Sequence, residues 1–348
     1  MAKIFVLSVA EAPRFDDWAR GPATVLKDGA RIDRMGQHQL VFTPAEADLI
    51  LFAEINEAAT HPYMQNVLRH PLYKLYPQKS FLYWPGDHPI ALLPGIYCSI
   101  ERRWYDPSRA RSGPYLTVMP NPFIDFRPLN EDAPYLFSFK GAIQNHPVRQ
   151  SLSTVLGEDP RGLFIDVSKD STRISSSGTQ QERENFWHEY ADIMEQTKFV
   201  LCPRGVGASS IRLFESMRMG RVPVICSDDW VAPNGPDWDT FSLRLAEKDI
   251  PNIISLLKEN EGRAKQMGER ARQQWELFFG PEVIFHYIAD QCMRMKAEQK
   301  TSPYFSRWLH EFERLRPIQM RQQWSHIKAK LRQWPLVKAL QKSHLLVD

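Results

Sequence analysis

The chain has 348 residues, 43% hydrophobic and 24% charged, with 10 Trp and a formal net charge of +3. That length suits two domains of roughly 150 residues with an appendage, and the composition excludes a chain disordered over most of its length. The four cysteines (98, 202, 226, 292) form no C-x-x-C pair, the ten histidines have no zinc-binding spacing, and no apolar run approaches the ~18 residues of a membrane span. A disulfide framework, a zinc site and a spanning helix are therefore not expected. The apolar run at 4–10 is too short for a secretion signal with its cleavage site, so a reducing, cytoplasmic location is expected.

In chain order, residues 4–9, 47–53 and 79–83 are short apolar runs followed by polar and then helix-like stretches. Such alternation predicts a parallel sheet covered by helices. Residues 120–134, with Pro120, Pro122, Pro128 and Pro134, lack periodicity and suit a linker or hinge. A second β/α series follows: strand "YLFSFKG" from 135, helix "HPVRQSLSTVL", strand "GLFIDVS", amphipathic helix "NFWHEYADIMEQTK", strand "FVLCP", a helix from Ser210, strand "VPVICS" and a helix near 249–260. The expected domains are 1–130, 131–280 and a helical basic tail at 281–348. Two such α/β halves place a cleft at the carboxyl ends of both sheets.

The stretch "LCPRGVGASSIRLFESMRMGRVPVI" (201–225) gathers the most chemistry. A strand ends at Pro203, the chain turns through small residues, and Ser209 or Ser210 is placed to cap the next helix. A ligand can approach free N–H groups there, and an anion such as phosphate suits them. Arg212 and Glu215 lie three apart on one side of that helix, so a guanidinium for a diphosphate and a carboxylate for a ribose diol stand together. An ordinary surface i,i+3 ion pair has the same spacing.

The block "KFVLCPRGVGASSIRLFESMRMGRVPVICSDDWVAP", with "YLFSFKGAIQNHPVRQSL" upstream and "PDWDTFSLRLAEKDI" downstream, resembles the exostosin-like glycosyltransferases of family 47. The resemblance covers about 135–260 well and the first half weakly. It implies a GT-B fold, two facing Rossmann-like domains, with the acceptor on the first (1–130) and a nucleotide-diphosphate sugar, usually a UDP-sugar, on the second (131–280). Glu215 then holds the ribose, and Arg212, Arg149 and Lys140 face the diphosphate together with Arg204, Gly205, Ser209 and Ser210. The loop departs from the eukaryotic pattern in carrying Val206-Gly207 where an additional Arg is frequent.

An inverting transferase needs a base for the acceptor hydroxyl. "WPGDHP" (84–89) follows a strand and offers Asp87, or His88, although Asp87 equally suits a turn cap. Glu54 ends another strand, and Arg103 and Trp104, in "SIERRWYD", are candidates for an acceptor groove. Asp229 and Trp238 are candidates for the edge of the donor-sugar pocket. "DWD" (237–239) formally matches an Asp-x-Asp metal motif without supporting ligands, so no metal or other cofactor is expected.

The expected activity is inverting transfer from a UDP-sugar to a glycan or lipid-linked glycan, as in surface polysaccharide synthesis. The alternatives are a catalytically idle scaffold partner and a GT-B enzyme using a GDP-sugar, such as a fucosyltransferase. Residues 301–348 hold nine Lys/Arg against three acids, interleaved with Trp308, Trp324 and Trp334. This tail suits either packing on the first domain, with Trp308 and Leu309 in the joint, or peripheral contact with an anionic membrane. Nucleic acid is not expected as a partner.

Overall fold

The structure, a computed structural model, describes residues 1–9, 21–54, 65–87, 91, 93–116, 121–169, 173–174, 177–299, 305, 308 and 312. In the first unit, β1 (Ala2–Leu7), α1 (Pro22–Arg31), β2 (His38–Leu40) and β3 (Leu49–Ala53) are followed by short helices α2 (Gln65–Arg69) and α3 (Pro71–Leu75). Strands β4 (Ser80–Trp84), β5 (Gly95–Tyr97) and β6 (Ala110–Ser112) complete it. The sheet order is β2-β1-β3-β4-β5-β6, and every pair is parallel. All residues of β3 and β4 are buried, as expected of strands covered on both faces, which explains why they read as unbroken apolar runs.

The second unit runs β7 (Tyr135–Gly141), α4 (Pro147–Leu156), β8 (Gly162–Asp166), α5 (Gln180–Glu195), β9 (Thr197–Pro203), α6 (Ile211–Met219), β10 (Val222–Cys226) and β11 (Leu243–Arg244). Helices α7 (Ile253–Asn260), α8 (Ala264–Phe278) and α9 (Ile284–Glu298) follow. Its sheet, β11-β10-β9-β7-β8, is again wholly parallel. Helix α5 begins with a reciprocal Thr179/Glu182 capping box, and α6 ends at Gly220, whose φ of 79° is a left-handed conformation open to glycine without strain. Two parallel α/β units facing across a cleft form the GT-B layout.

The units are joined more firmly than a Pro-rich hinge implies. One apolar core is continuous across them, from Ile4, Leu49 and Ile96 to Val200, Leu213 and Trp230. The expected linker is bolted to the second unit by Arg221, which is fully buried and donates to the carbonyls of Arg127, Met194, Glu195, Met219 and Gly220. Burial depresses its guanidinium to about 10.

Helix α9 crosses back to the first unit: Ile284 and Phe285 pack against Gly29 of α1, and Arg111 pairs with Glu298 at 2.8 Å. Residues 284–298 therefore belong physically with the first unit rather than with a free tail. Trp308 departs from the packed alternative. It is 59% exposed and, among the described residues, stacks on Phe305 and Phe312, themselves exposed. Leu309, Trp324, Trp334 and the tail's cations lie outside the described residues. No helix among the described residues is long and apolar enough to cross a membrane.

Candidate active site

The carboxyl ends of β7 and β9 and the amino end of α6 line a cavity of about 560 Å³ with α5 on one side and the first unit opposite. Ser210 occupies the N-cap position of α6 with extended backbone, yet its side chain makes no capping bond, contrary to the capping expected from sequence. Ser209, Ser210, Ile211 and Arg212 all line the cavity, so the uncapped amides of the first turn border it.

Two residues on α6 carry the charge. Arg212 donates from Nη2 to Lys140 O at 2.6 Å and lies 4.5 Å over the Phe139 ring, while its Nε is buried without a partner. Glu215 Oε2 accepts a 2.7 Å bond from the Tyr190 hydroxyl. Burial raises the Glu215 carboxyl above its ordinary range, against the opposing pull of that bond and of Arg212 and Arg218. Lys140, at the end of β7, is buried with its ammonium 2.9 Å from Glu189 Oε2, an ion pair without hydrogen-bond geometry, and 4.4 Å over Phe186.

Arg149 also borders the cavity, but its fork is occupied by backbone: Nε donates to Arg204 O at 2.9 Å, Nη1 to Ala142 O at 2.9 Å and Nη2 to Pro203 O at 3.4 Å. Its guanidinium is pushed down to about 10, first by burial and then by Arg212. It therefore braces the 203–205 turn and contributes positive charge at the cavity wall. Gly205 is small for the same reason, because a Cβ there would sit 3.0 Å from Arg149 Nη2.

Across the cleft stands Asp87, exposed on the loop after β4. Ser99 Oγ donates to its Oδ1 at 3.4 Å and is in turn 2.6 Å from the Tyr115 hydroxyl. Surrounding protein raises the Asp87 carboxyl, while Ser99, Arg149 and Arg204 pull it back. A Cβ at Gly207 would fall 2.3 Å from Asp87 Oδ1 and 2.4 Å from Ser99 Oγ, so the loop before α6 meets the first unit at this carboxylate. The small loop residues admit a facing side chain as well as a ligand.

Other candidates lie elsewhere. Arg204 does not line the cavity. Its Nη2 donates to Glu101 Oε1 at 2.9 Å and its Nη1 to Asp229 Oδ2 at 3.1 Å, with Arg204 and Glu101 both buried. This ion network clamps one unit to the other, and Asp229 is held in it rather than at a sugar pocket. Trp238 is buried among Trp230, Phe241 and Phe279, with Nε1 donating to Pro233 O at 2.9 Å, which makes it core. Glu54 is buried at the end of β3, accepting from Val9 N and Ser8 Oγ. Arg103 pairs with Glu101 at 2.6 Å and Trp104 lies beside it, both near the clamp and outside the cavity. His88 lies outside the described residues.

The cavity wall also contains Arg183, Phe186, Trp187 and Tyr190 of α5, with Asn145, Tyr115 and Asn121. Positions 186, 187 and 190 are close on a helical face, and read from sequence they look like core. Among the described residues, no group of three or more His, Cys, Asp or Glu side chains is arranged to hold a metal.

The Exostosin GT47 domain model matches residues 109–260, a stretch that includes β6, the cleft-lining residues from Tyr115 onward and most of the second unit. The chain is 34% identical over 110 residues to an Exostosin-1 homolog of Caenorhabditis elegans, covering 31% of this chain and 28% of that one. It is 32% identical over 113 residues to the Arabidopsis thaliana "Probable beta-1,4-xylosyltransferase IRX10", covering 28% of this chain and 27% of that one. The chain thus spans little more than a quarter of the length of these relatives. A solved structure, "Crystal structure of Anabaena Alr3699/HepE in complex with UDP", aligns over 84% of this chain and 100% of its own at 10% identity and a TM-score of 0.38, a likeness too loose to transfer residues.

Proposed function

We propose that this cleft is a glycosyltransferase site that moves a sugar from a UDP-sugar to a glycan hydroxyl with inversion at the anomeric carbon. The observation that supports this reading best is the meeting of Glu215, Arg212, Lys140 and an uncapped helix N-terminus on one wall with Asp87 on the other, about one cavity of 560 Å³. That volume suits a nucleotide ligand, for which ~300–1,000 Å³ is typical. The xylosyltransferase and exostosin relatives named above favour the same class.

Ionised Glu215, steadied by Tyr190, accepts the two ribose hydroxyls. The diphosphate lies at the amides of α6, with Arg212 and Lys140 balancing the charge that grows as the anomeric C–O bond breaks. Asp87 takes the proton of the acceptor hydroxyl as its oxygen bonds to the anomeric carbon from the opposite face. A carboxyl raised by its surroundings is a better base near neutral pH than an ordinary one. Cationic side chains and helix amides stand where a metal would otherwise neutralise the leaving group, so transfer is expected to survive EDTA; complete loss restored by Mn²⁺ would overturn that part.

The direct test is calorimetry with UDP-, GDP- and CMP-sugars. UDP-sugars are expected to bind, and binding of a GDP-sugar alone would move the protein to the other donor class. The reading includes a cytoplasmic enzyme working on surface or lipid-linked glycans, with exposed Phe305, Trp308 and Phe312 opening a basic tail that touches the membrane. Removing the chain beyond Pro317 is expected to weaken sedimentation with anionic liposomes and to leave UDP binding intact; equal sedimentation would exclude the contact.

A further inference from the structure

A second cavity, of about 410 Å³, lies behind the first in the seam between the units. Its walls come chiefly from α1 (Val25, Ile32), α6 (Ile211, Phe214), α8 (Trp275) and α9 (Ile284), and they are mainly apolar, with Asp28, Asn121, Glu215 and Arg218 as the polar exceptions. It shares Tyr115, Asn121, Ile211 and Glu215 with the donor cavity, so the two spaces meet at those residues.

One cation in this space has hydrogen-bond donors without acceptors, although Asp125 and Glu215 act on its charge from nearby. Arg218 lines the cavity one turn beyond Glu215, and its guanidinium makes no hydrogen bond or ion pair among the described residues. Its Nε is buried without a partner, and its nearest aromatic neighbour is the Trp275 ring at 5.8 Å. The acids nearby are already engaged. Asp28 pairs with Arg31 at 2.7 Å, Asp125 with Arg272 at 3.4 Å and with the Phe126 amide, and Glu215 with Tyr190. Guanidinium donors left without acceptors in a largely apolar enclosure favour a ligand whose anionic oxygens supply them.

We propose that this cavity is a second ligand site that takes an amphipathic anion, an apolar moiety carrying one phosphate or carboxylate, as the anchoring end of the acceptor. The apolar moiety fills the space among Val25, Phe214, Trp275 and Ile284, and the anion sits on Arg218. A sugar attached to that anion leaves past Tyr115 and Asn121 toward the donor cavity, where the Tyr115 hydroxyl reaches Asp87 through Ser99. The acceptor role rests on the transferase reading, whereas the binding site does not.

The experiment is calorimetry on the full chain with dodecyl phosphate below its micelle concentration, with a dodecyl phosphodiester of glucose, and separately with UDP. Dodecyl phosphate is expected to bind at one site, tenfold or more weaker to Arg218→Met and restored in Arg218→Lys, while UDP still binds all three. Ile32→Trp, which keeps the cation and fills the cavity from its exposed rim, is expected to exclude the probe. Absence of binding to the wild type, or equal binding by Arg218→Met or Ile32→Trp, would overturn the site. If the glucose-bearing probe is excluded while dodecyl phosphate binds, the ligand is a free effector and the acceptor role falls. Failure of UDP to bind strikes the transferase reading alone.

Discussion

The two walls of the cleft are built differently. The second-unit wall places Arg212 and Glu215 three residues apart on one helix, next to the turn that presents the helix amides. The first-unit wall is assembled from single residues of separate loops: Asp87 after β4, Ser99 after β5 and Tyr115 after β6. A contiguous strand–turn–helix fixes its side chains relative to one another by local geometry. The loop-built wall depends on the two units staying docked, and the contact between Gly207 and Asp87 shows how close that docking is.

The sharpest way to break the comparison is to remove a group from the contiguous wall. Two charge-assisted hydrogen bonds at ~1.5–3 kcal/mol each correspond to a loss of roughly 10²-fold or more in UDP affinity for Glu215→Ala. Thermal unfolding is expected to remain cooperative. Wild-type affinity for UDP in calorimetry would remove Glu215 from the ribose.

On the loop-built wall, Asp87→Asn is expected to lower kcat by about 10² or more while UDP binding is retained, because a base acts in the transition state. Near-normal turnover would hand the proton to another group. The pair of results separates a wall that binds from a wall that reacts.

The docking itself is tested at Arg204. Arg204→Met removes one of the two cations of buried Glu101, leaving Arg103 at 2.6 Å, so the loss is expected to fall below the about 3–5 kcal/mol of breaking an isolated buried pair. The Glu101→Gln/Arg204→Met double variant is expected to recover part of that loss. If Arg204→Met unfolds at the wild-type denaturant midpoint, the clamp carries no stability. If it keeps its stability but loses UDP binding, Arg204 belongs to the donor site after all.

These contrasts explain what was legible beforehand. Arg212, Glu215 and the helix amides could be placed from sequence because β9, its turn and α6 are consecutive and helical spacing settles which side chains share a face. Arg204 stands in the same segment and was misplaced, since a turn residue's direction depends on Glu101, about a hundred positions away. Arg149, expected to face the diphosphate, lines the cavity with its fork on backbone carbonyls, partners that residue types do not reveal. Tyr190 was invisible because aromatic residues on an amphipathic helix usually mean core, and only the approach of α5 to α6 gives it Glu215 as a partner. The Pro-rich segment reads as a hinge, yet Arg221 ties its Arg127 carbonyl to four carbonyls of the second unit, and carbonyl partners carry no sequence pattern.

The smallest effect is a titration that distinguishes the buried carboxylate of the contiguous wall from ordinary surface acids. The folded Glu215 carboxyl is raised above its unfolded value, chiefly by burial. Between those two values the native state holds a proton that the unfolded chain has released, so this residue's contribution to stability is fully present below the unfolded value and is lost as pH rises through the folded one. Binding of the ribose diol acts in the opposite sense, because it uses the ionised form and therefore releases that proton. Uridine, which carries no titrating phosphate, is expected to bind more weakly as pH falls through the folded Glu215 value, by up to about tenfold per pH unit, and to release protons detectable as a buffer-dependent calorimetric enthalpy. In Glu215→Gln both the pH slope of stability in this window and the buffer dependence should flatten. A wild-type uridine affinity that is independent of pH across the carboxylate range would mean that Glu215 meets the ligand without changing its charge.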